Sequence, residues 1–333
     1  MLRQVSRHLA ASSGVLPRRY VSAAASAASD GMESGLVSVE WLAKELKAEG
    51  AAPLRVLDAS WFLGGKDFGG TERDAKAEFA AARIPGAAFF DVDQVADTAA
   101  TDLPHMMPDV ATFAAAMKEL GVDKGTRVVA YDALGMFSAP RCWYTLRTFG
   151  HPCVAVLDGG MHAWKEAGLE LEAGPPTAPA PAADEDWTKD DAAVWDLGAV
   201  VANAAAGPET PVQLVDARPG PRFEGTAPEP REGMRGGHVP HSFNVPFGAV
   251  VNDFPAGPIT LKNDEELAAV FTAAGVDVSQ GGRPITTSCG SGMTAAIVGL
   301  ALHRLGKSSM LYDGSWSEYG LPGEHPVVKT EDE

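Results

Sequence analysis

The sequence predicts an α/β protein in which one domain occurs twice in tandem, each copy a mostly parallel sheet flanked by helices. Three observations point there. Landmarks repeat in a fixed order: Leu54-Arg-Val-Leu-Asp-Ala-Ser60 returns as Val212-Gln-Leu-Val-Asp-Ala-Arg218, and Arg83-Ile-Pro-Gly86 as His238-Val-Pro-His241. Leu157-Asp-Gly-Gly-Met-His-Ala-Trp164 likewise returns as Tyr312-Asp-Gly-Ser-Trp-Ser-Glu-Tyr319. The offsets are 158 residues from Asp58 to Asp216, and 155 both from Ile84 to Val239 and from Asp158 to Asp313, as a duplicated domain requires. Short apolar runs such as Arg127-Val-Val-Ala-Tyr131 and Cys153-Val-Ala-Val-Leu157 alternate with helical stretches such as 139–150, the pattern of βαβ units. Between the copies, residues 174–186 are rich in Pro and Ala and free of bulky apolar side chains, so they read as an extended linker.

In chain order, residues 1–30 come first and stand apart. Arg3, Arg7, Arg18 and Arg19 lie among six serines, with no acid before Asp30. That composition is expected of an organelle transit peptide, mitochondrial (matrix) in the first instance, with a plastid leader or a cytoplasmic protein as alternatives. The first copy is expected over 36–173, the linker over 174–186 and the second copy over 187–328. The 333 residues carry 44 acidic and 27 basic side chains, a formal net charge of −17, and without the four leader arginines the charge falls near −21 (23 basic against 44 acidic). A body this acidic repels nucleic acid and anionic membrane surfaces. No run approaches the roughly 20 apolar residues of a membrane span. Three cysteines without a C-x-x-C pair make no disulfide framework, which suits a reducing, intracellular compartment.

In the second copy, Arg283-Pro-Ile-Thr-Thr-Ser288 reads as a strand and residues 294–305 as a buried helix ending at Gly306, a C′ glycine. The loop between them is Cys289-Gly-Ser-Gly-Met293. Its two glycines allow backbone N–H groups to turn inward as an anion cradle. A cysteine facing such amides at the carboxyl end of a parallel strand is placed to ionise and act as a nucleophile. Cys142, within a helix, and Cys153, within an apolar strand, read instead as packing residues. Two other chemistries use loops of this kind. A cysteine phosphatase needs an arginine six positions after its nucleophile, and position 295 is alanine. Gly290-Ser-Gly-Met-Thr-Ala295 also matches a dinucleotide fingerprint with Asp313 placed 23 residues on, but the 20 residues after Asp313 are too few for further strands.

Cys289-Gly-Ser-Gly-Met-Thr-Ala295, the linker, the duplicated Ile/Val-Pro motifs and Asp313-Gly-Ser-Trp316 resemble the two-domain rhodanese-like sulfurtransferases, from about Leu36 to Val327. The resemblance implies tandem rhodanese-like domains, a catalytically silent first copy with Asp132 in place of the cysteine, and a second copy whose Cys289 becomes a persulfide. It implies no cofactor. No metal is expected either, because His238 and His241 lack further ligands of a zinc set. Thiosulfate-preferring members place basic residues after the cysteine, whereas the uncharged Cys-Gly-Ser-Gly loop resembles that of members using 3-mercaptopyruvate. The expected activity is transfer of sulfur from a small anionic donor, 3-mercaptopyruvate or thiosulfate, to cyanide or a thiol such as thioredoxin or glutathione. Thiosulfate:cyanide sulfurtransferase and a non-enzymatic sulfur-carrier or regulatory module are the alternatives.

The resemblance also assigns roles. Arg222 and Arg231 match two arginines that hold the donor's carboxylate and carbonyl, a function suited to bidentate guanidinium. Gly290, Gly292, Met293 and Thr294 complete the substrate loop, with Met293 where valine is usual. Arg218 is expected to be a structural partner of the loops. Asp93 and His105, from the first copy, match a pair in which the aspartate orients the histidine and the histidine bonds the loop serine, Ser291. That relay would protonate the enolate left when sulfur departs. Arg83 and His241 stand where histidine and glycine are usual, which is expected to affect loop packing.

Overall fold

The structure, a computed structural model, describes residues 31–329 apart from Ala256, and the expected leader over 1–30 lies outside the described residues. Two five-stranded sheets are present among these residues. The first contains β1 (Leu36–Val37), β2 (Leu54–Asp58), β3 (Ala88–Phe89), β4 (Arg127–Tyr131) and β5 (Val154–Leu157), in the order β1-β5-β4-β2-β3. The second contains β6 (Val194–Trp195), β7 (Gln213–Asp216), β8 (Phe243–Asn244), β9 (Ile285–Ser288) and β10 (Ser309–Tyr312), in the order β6-β10-β9-β7-β8. Every pairing is parallel, and advancing each strand by five converts one order into the other. The repeated sequence is therefore a repeated topology.

The local causes are ordinary ones. β4 and β5 are buried at every position, as parallel strands covered on both faces must be. Helix starts carry side-chain caps: Ser38, Asp74, Asp109 and Asp196 accept from N–H groups in the first turns of α1 (Val39–Glu45), α2 (Ala75–Ala81), α3 (Val110–Glu119) and α6 (Leu197–Ala205). Asn263 and Glu266 close a capping box on α8 (Asp264–Ala273). The remaining helices are α4 (Ala139–Thr148), α5 (Gly160–Glu166), α7 (Gly220–Phe223), α9 (Met293–Arg304) and α10 (Ser315–Tyr319).

The helices α4 and α9, which follow the equivalent loops of the two copies, pack on each other. Nine residues of each are buried, and one apolar cluster runs from Leu57 and Val128 of the first copy through Phe149 to Ile297 and Leu300 of the second. Sharing a core fixes the two loops in register. Residues 174–186 follow the first copy, where Ala182 donates its N–H to Lys118 O (3.0 Å). Trp187, just beyond, stands edge-on to Phe113 at 5.2 Å. Arg83 is a buried clamp: its guanidinium pairs with Glu172, donates to Gly174 O (2.8 Å) and lies over the Phe79 ring.

The copies differ at the end of their second strands. Asp216 accepts from both Nε and Nη2 of Arg218 (2.7–3.1 Å). Its counterpart Asp58 faces Ser60 instead, accepting from the Ser60 hydroxyl and N–H, and burial pushes its pKa up to about 6. An acid whose folded-state pKa exceeds its unfolded value of about 3.9 favours folding most below pH 4, and that contribution is lost as pH rises through 6. Asp58→Asn is therefore expected to raise stability at pH 7 by on the order of 2 kcal/mol. Urea unfolding at pH 4 and pH 7 checks this: the gain should vanish at pH 4, and an equal gain at both would contradict it.

Candidate active site

Cys289 follows the last residue of β9 and is buried. Trp316 donates its N–H to Cys289 O (2.9 Å), just as Met161 donates to Asp132 O (3.0 Å). Asp132 and Cys289 thus occupy equivalent places, and the comparison is informative. The Asp132 carboxylate fills its own loop: Oδ1 accepts from the N–H groups of Leu134 and Gly135, and Oδ2 from those of Phe137, Ser138 and Ala139, all at 2.8–2.9 Å. A loop of this family of turns does hold an anion on backbone amides.

The second-copy loop is arranged differently from expectation. Two of its amides, Cys289 N–H and Gly292 N–H, are turned onto the Ser315 hydroxyl (3.2 and 3.1 Å), which itself donates to Tyr312 O (2.8 Å). Those of Gly290, Ser291, Met293 and Thr294 find no acceptor among the described residues and remain available to an anion. Gly292 caps α9 with φ +76°, and a Cβ there would come within 2.8 Å of Arg141 Nη1, so glycine is required by both backbone and space. Gly290 needs no such conformation. A Cβ on it would stand 3.5 Å from Arg222 Nη2 and 4.0 Å from Arg231 Nη1, in the gap between loop and guanidinium groups.

Those two guanidinium groups are held differently. Arg222 is tethered by both Nε (3.1 Å) and Nη2 to Glu229 Oε2, and Glu229 is fixed from behind by Arg218 (2.8 Å), which lies 3.9 Å over the Trp316 ring. Arg218 is thus the loop partner that the sequence predicts. Arg231 makes no hydrogen bond or ion pair with any described residue. Its pKa is lowered, first by burial and then by the neighbouring Arg222 charge, with Cys289 and Glu229 acting in the opposite direction. The charge of an incoming anion would offset both.

Asp93, His105 and Ser291 are brought together across the domain junction. His105 Nδ1 lies 3.1 Å from Ser291 Oγ, and Nε2 lies 3.2 Å from Asp93 Oδ1. The His105 partner, first of all, and also Trp61 hold the Asp93 carboxyl below the usual carboxylate range. With Nε2–H donated to Asp93, Nδ1 is an acceptor for the serine hydroxyl. His105 itself sits at φ +61°. Its carbonyl is gripped by Arg141, whose guanidinium pairs with Asp313 (2.8 Å), while Asp313 accepts the Met107 N–H. Met293 is buried in the shared core, and Thr294 is partly exposed at the start of α9.

Sequence reasoning missed four contributors: Arg141, Ser315, Glu229 and Trp61. An arginine set among Ala139, Pro140, Cys142 and Trp143 was the available signal for Arg141, and the duplicated Asp-Gly-Ser/Gly motif for Ser315.

A profile of the Rhodanese-like domain matches residues 38–167 and again 201–321. The chain belongs to the rhodanese-like family. Among curated relatives, the mitochondrial thiosulfate/3-mercaptopyruvate sulfurtransferase 1 of Arabidopsis thaliana is 38% identical, covering 89% of this chain and 78% of that protein. The human 3-mercaptopyruvate sulfurtransferase is 41% identical, covering 85% of this chain and 91% of its own length. Among solved structures, the 3-mercaptopyruvate sulfotransferase of Escherichia coli superposes with a TM-score of 0.71 at 36% identity, covering 85% of this chain and 99% of that one. In this rhodanese-like pair, a cysteine, two cations and a histidine–serine contact converge on one loop, an arrangement suited to moving sulfur between anionic carriers.

Proposed function

We propose that the chain is a 3-mercaptopyruvate sulfurtransferase that carries sulfur on Cys289. The observation that bears most weight is an uncharged loop, Cys289-Gly-Ser-Gly292, lying beneath two convergent guanidinium groups, one of them unpaired among the described residues. The Cys289 thiolate attacks the donor's sulfur and the carbon–sulfur bond breaks. Its electron pair passes to the enolate of pyruvate, which takes a proton on carbon. Cys289 is left as a persulfide, whose outer sulfur an acceptor thiolate then removes, restoring the thiolate. Arg222 and Arg231 bind the α-keto carboxylate, while Gly290, Gly292, Met293 and Thr294 shape the loop around it. Asp93, His105 and Ser291 conduct the proton, using the hydroxyl as the last carrier.

The equivalence with Asp132 supports the persulfide. The outer sulfur stands two bonds from Cβ, as the carboxylate oxygens of Asp132 do, so the amides left without acceptors in the second loop suit it. On this reading the first copy is silent because its loop is already filled. The unit boundaries, 36–173 and 187–328 around the linker, belong to the same proposal. So does residence in the mitochondrial matrix through residues 1–30, supported by the leader composition and the Arabidopsis relative's mitochondrial name. Thioredoxin or glutathione are the proposed thiol acceptors.

The test compares kcat/KM for mercaptopyruvate and thiosulfate in the wild type and in Arg231→Gln. Mercaptopyruvate is expected to be the better donor, and loss of Arg231 to raise its KM about 10-fold or more, the worth of one charge-assisted contact. Thermal stability should hold, since Arg231 pairs with no described residue. Equal or better efficiency with thiosulfate would overturn the donor assignment, and an unchanged KM would remove Arg231 from the site.

A further inference from the structure

The relay needs its own support. Asp93 is more than half exposed, with a side chain 61% accessible, and His105 lies on a loop. One side chain touches both. The Trp61 indole Nε1 donates to Asp93 Oδ2 (3.1 Å), and its ring stands edge-on to the His105 imidazole, centroids 4.7 Å apart at 87°. On its other side the indole stacks with Phe137 (6.2 Å), and its backbone N–H is held by Ser138 Oγ (3.1 Å). Phe137 and Ser138 belong to the first-copy loop, and both donate their N–H groups to Asp132 Oδ2. A continuous set of contacts therefore runs from Asp132, through Phe137 and Ser138, to Trp61 and the relay.

We propose that Trp61 is a positioning residue for Asp93 and His105, mounted on the loop of the first copy that carries Asp132 in place of a cysteine. The inference rests on the reading of Asp93–His105–Ser291 as the proton path. It gives the silent loop a purpose, since a rigid loop filled by its own carboxylate holds the side chain that the other copy uses. Without the indole N–H, Asp93 loses one of the donors that keep its carboxyl ionised, leaving His105 and the charge of Lys76, which itself pairs with Asp91 (2.6 Å). Its pKa then rises toward the ordinary value. A protonated Asp93 no longer orients His105, so the acid limb of kcat moves to higher pH.

The decisive variants are Trp61→Phe and replacement of Trp61 by β-(3-benzothienyl)alanine, which keeps the bicyclic shape without the N–H. Both are expected to lower kcat for mercaptopyruvate roughly 10-fold, a fraction of what positioned proton transfer contributes. KM should stay put, because the arginines are untouched, and the acid limb should shift upward. An unchanged kcat in the benzothienyl variant would refute the proposal, as would a fall in kcat with an unmoved acid limb. A second measurement keeps this separate from the activity itself. The Asp93 carboxyl, followed by carbon-13 NMR in a Cys289→Ser background, should titrate at higher pH once Trp61→Phe is added. If the wild type proved inactive while this shift appeared, the function would fail and the positioning would stand; no shift would sink the positioning alone.

Discussion

Cys289→Ser is expected to lower turnover of mercaptopyruvate by about 10³-fold or more while leaving the melting temperature nearly unchanged. Serine is close in volume and fits the same buried place, so the fold has little reason to respond. Chemically the change is severe, because a serine hydroxyl remains protonated at neutral pH and an oxygen at that position cannot store sulfur as a persulfide. The loss should therefore appear in single-turnover pyruvate release as well as in steady state. Mass spectrometry of the peptide containing position 289 should show the gain of one sulfur atom after donor treatment in the wild type only. Cys142→Ser and Cys153→Ser are the matched controls. Burial pushes both of those thiols up, away from the thiolate, and Cys153 Sγ packs at 3.6 Å against Met32 Sδ, so both variants should remain active. Activity surviving in Cys289→Ser would transfer the nucleophile's role elsewhere.

The features legible in the sequence were those that depend on near neighbours or on repetition. Arg127–Tyr131 and Val154–Leu157 could be read as strands because a parallel strand buried on both faces is apolar over most of its length. The helix over Met293–Arg304 was legible for a related reason, with Gly306 at φ +73° just beyond its end. Duplication did the rest, since aligning Asp58 with Asp216 and Asp158 with Asp313 makes two sheets of one plan. The site was legible only as far as the loop. Asp93, His105 and Ser291 come from segments as much as 198 residues apart, between 93 and 291, and resemblance rather than spacing paired them. Arg141–Asp313 and Trp61–Asp93 are contacts of the same kind, invisible until the two copies are docked. Two of the loop amides escaped prediction because their acceptor is distant in sequence. The sequence shows which loop can cradle an anion but not that Ser315, 26 residues downstream, accepts two of its N–H groups.

The internal comparison yields the second large effect. Asp132→Ala should cost about 3–5 kcal/mol, because five buried N–H groups lose one charged acceptor and each stranded donor carries a desolvation penalty of about 1–3 kcal/mol that entering water partly relieves. For a domain of this size that is a fall in melting temperature of roughly 10 °C. Asp132→Asn should recover little of it. An amide offers one oxygen, enough for either the Leu134 and Gly135 donors or the three from Phe137 to Ala139, and its NH₂ would face the remaining N–H groups donor against donor. Activity should fall in both variants even though Asp132 touches no part of the proposed site, because the loosened loop no longer fixes Trp61 through Phe137 and Ser138. Calorimetry and kcat measured on the same preparations separate the possibilities. A melting temperature within about 2 °C of wild type, a shift corresponding to less than 1 kcal/mol, would mean that the loop is held by something other than its carboxylate. A large fall in melting temperature with kcat intact well below the transition would mean that Trp61 keeps its place without the loop beneath it.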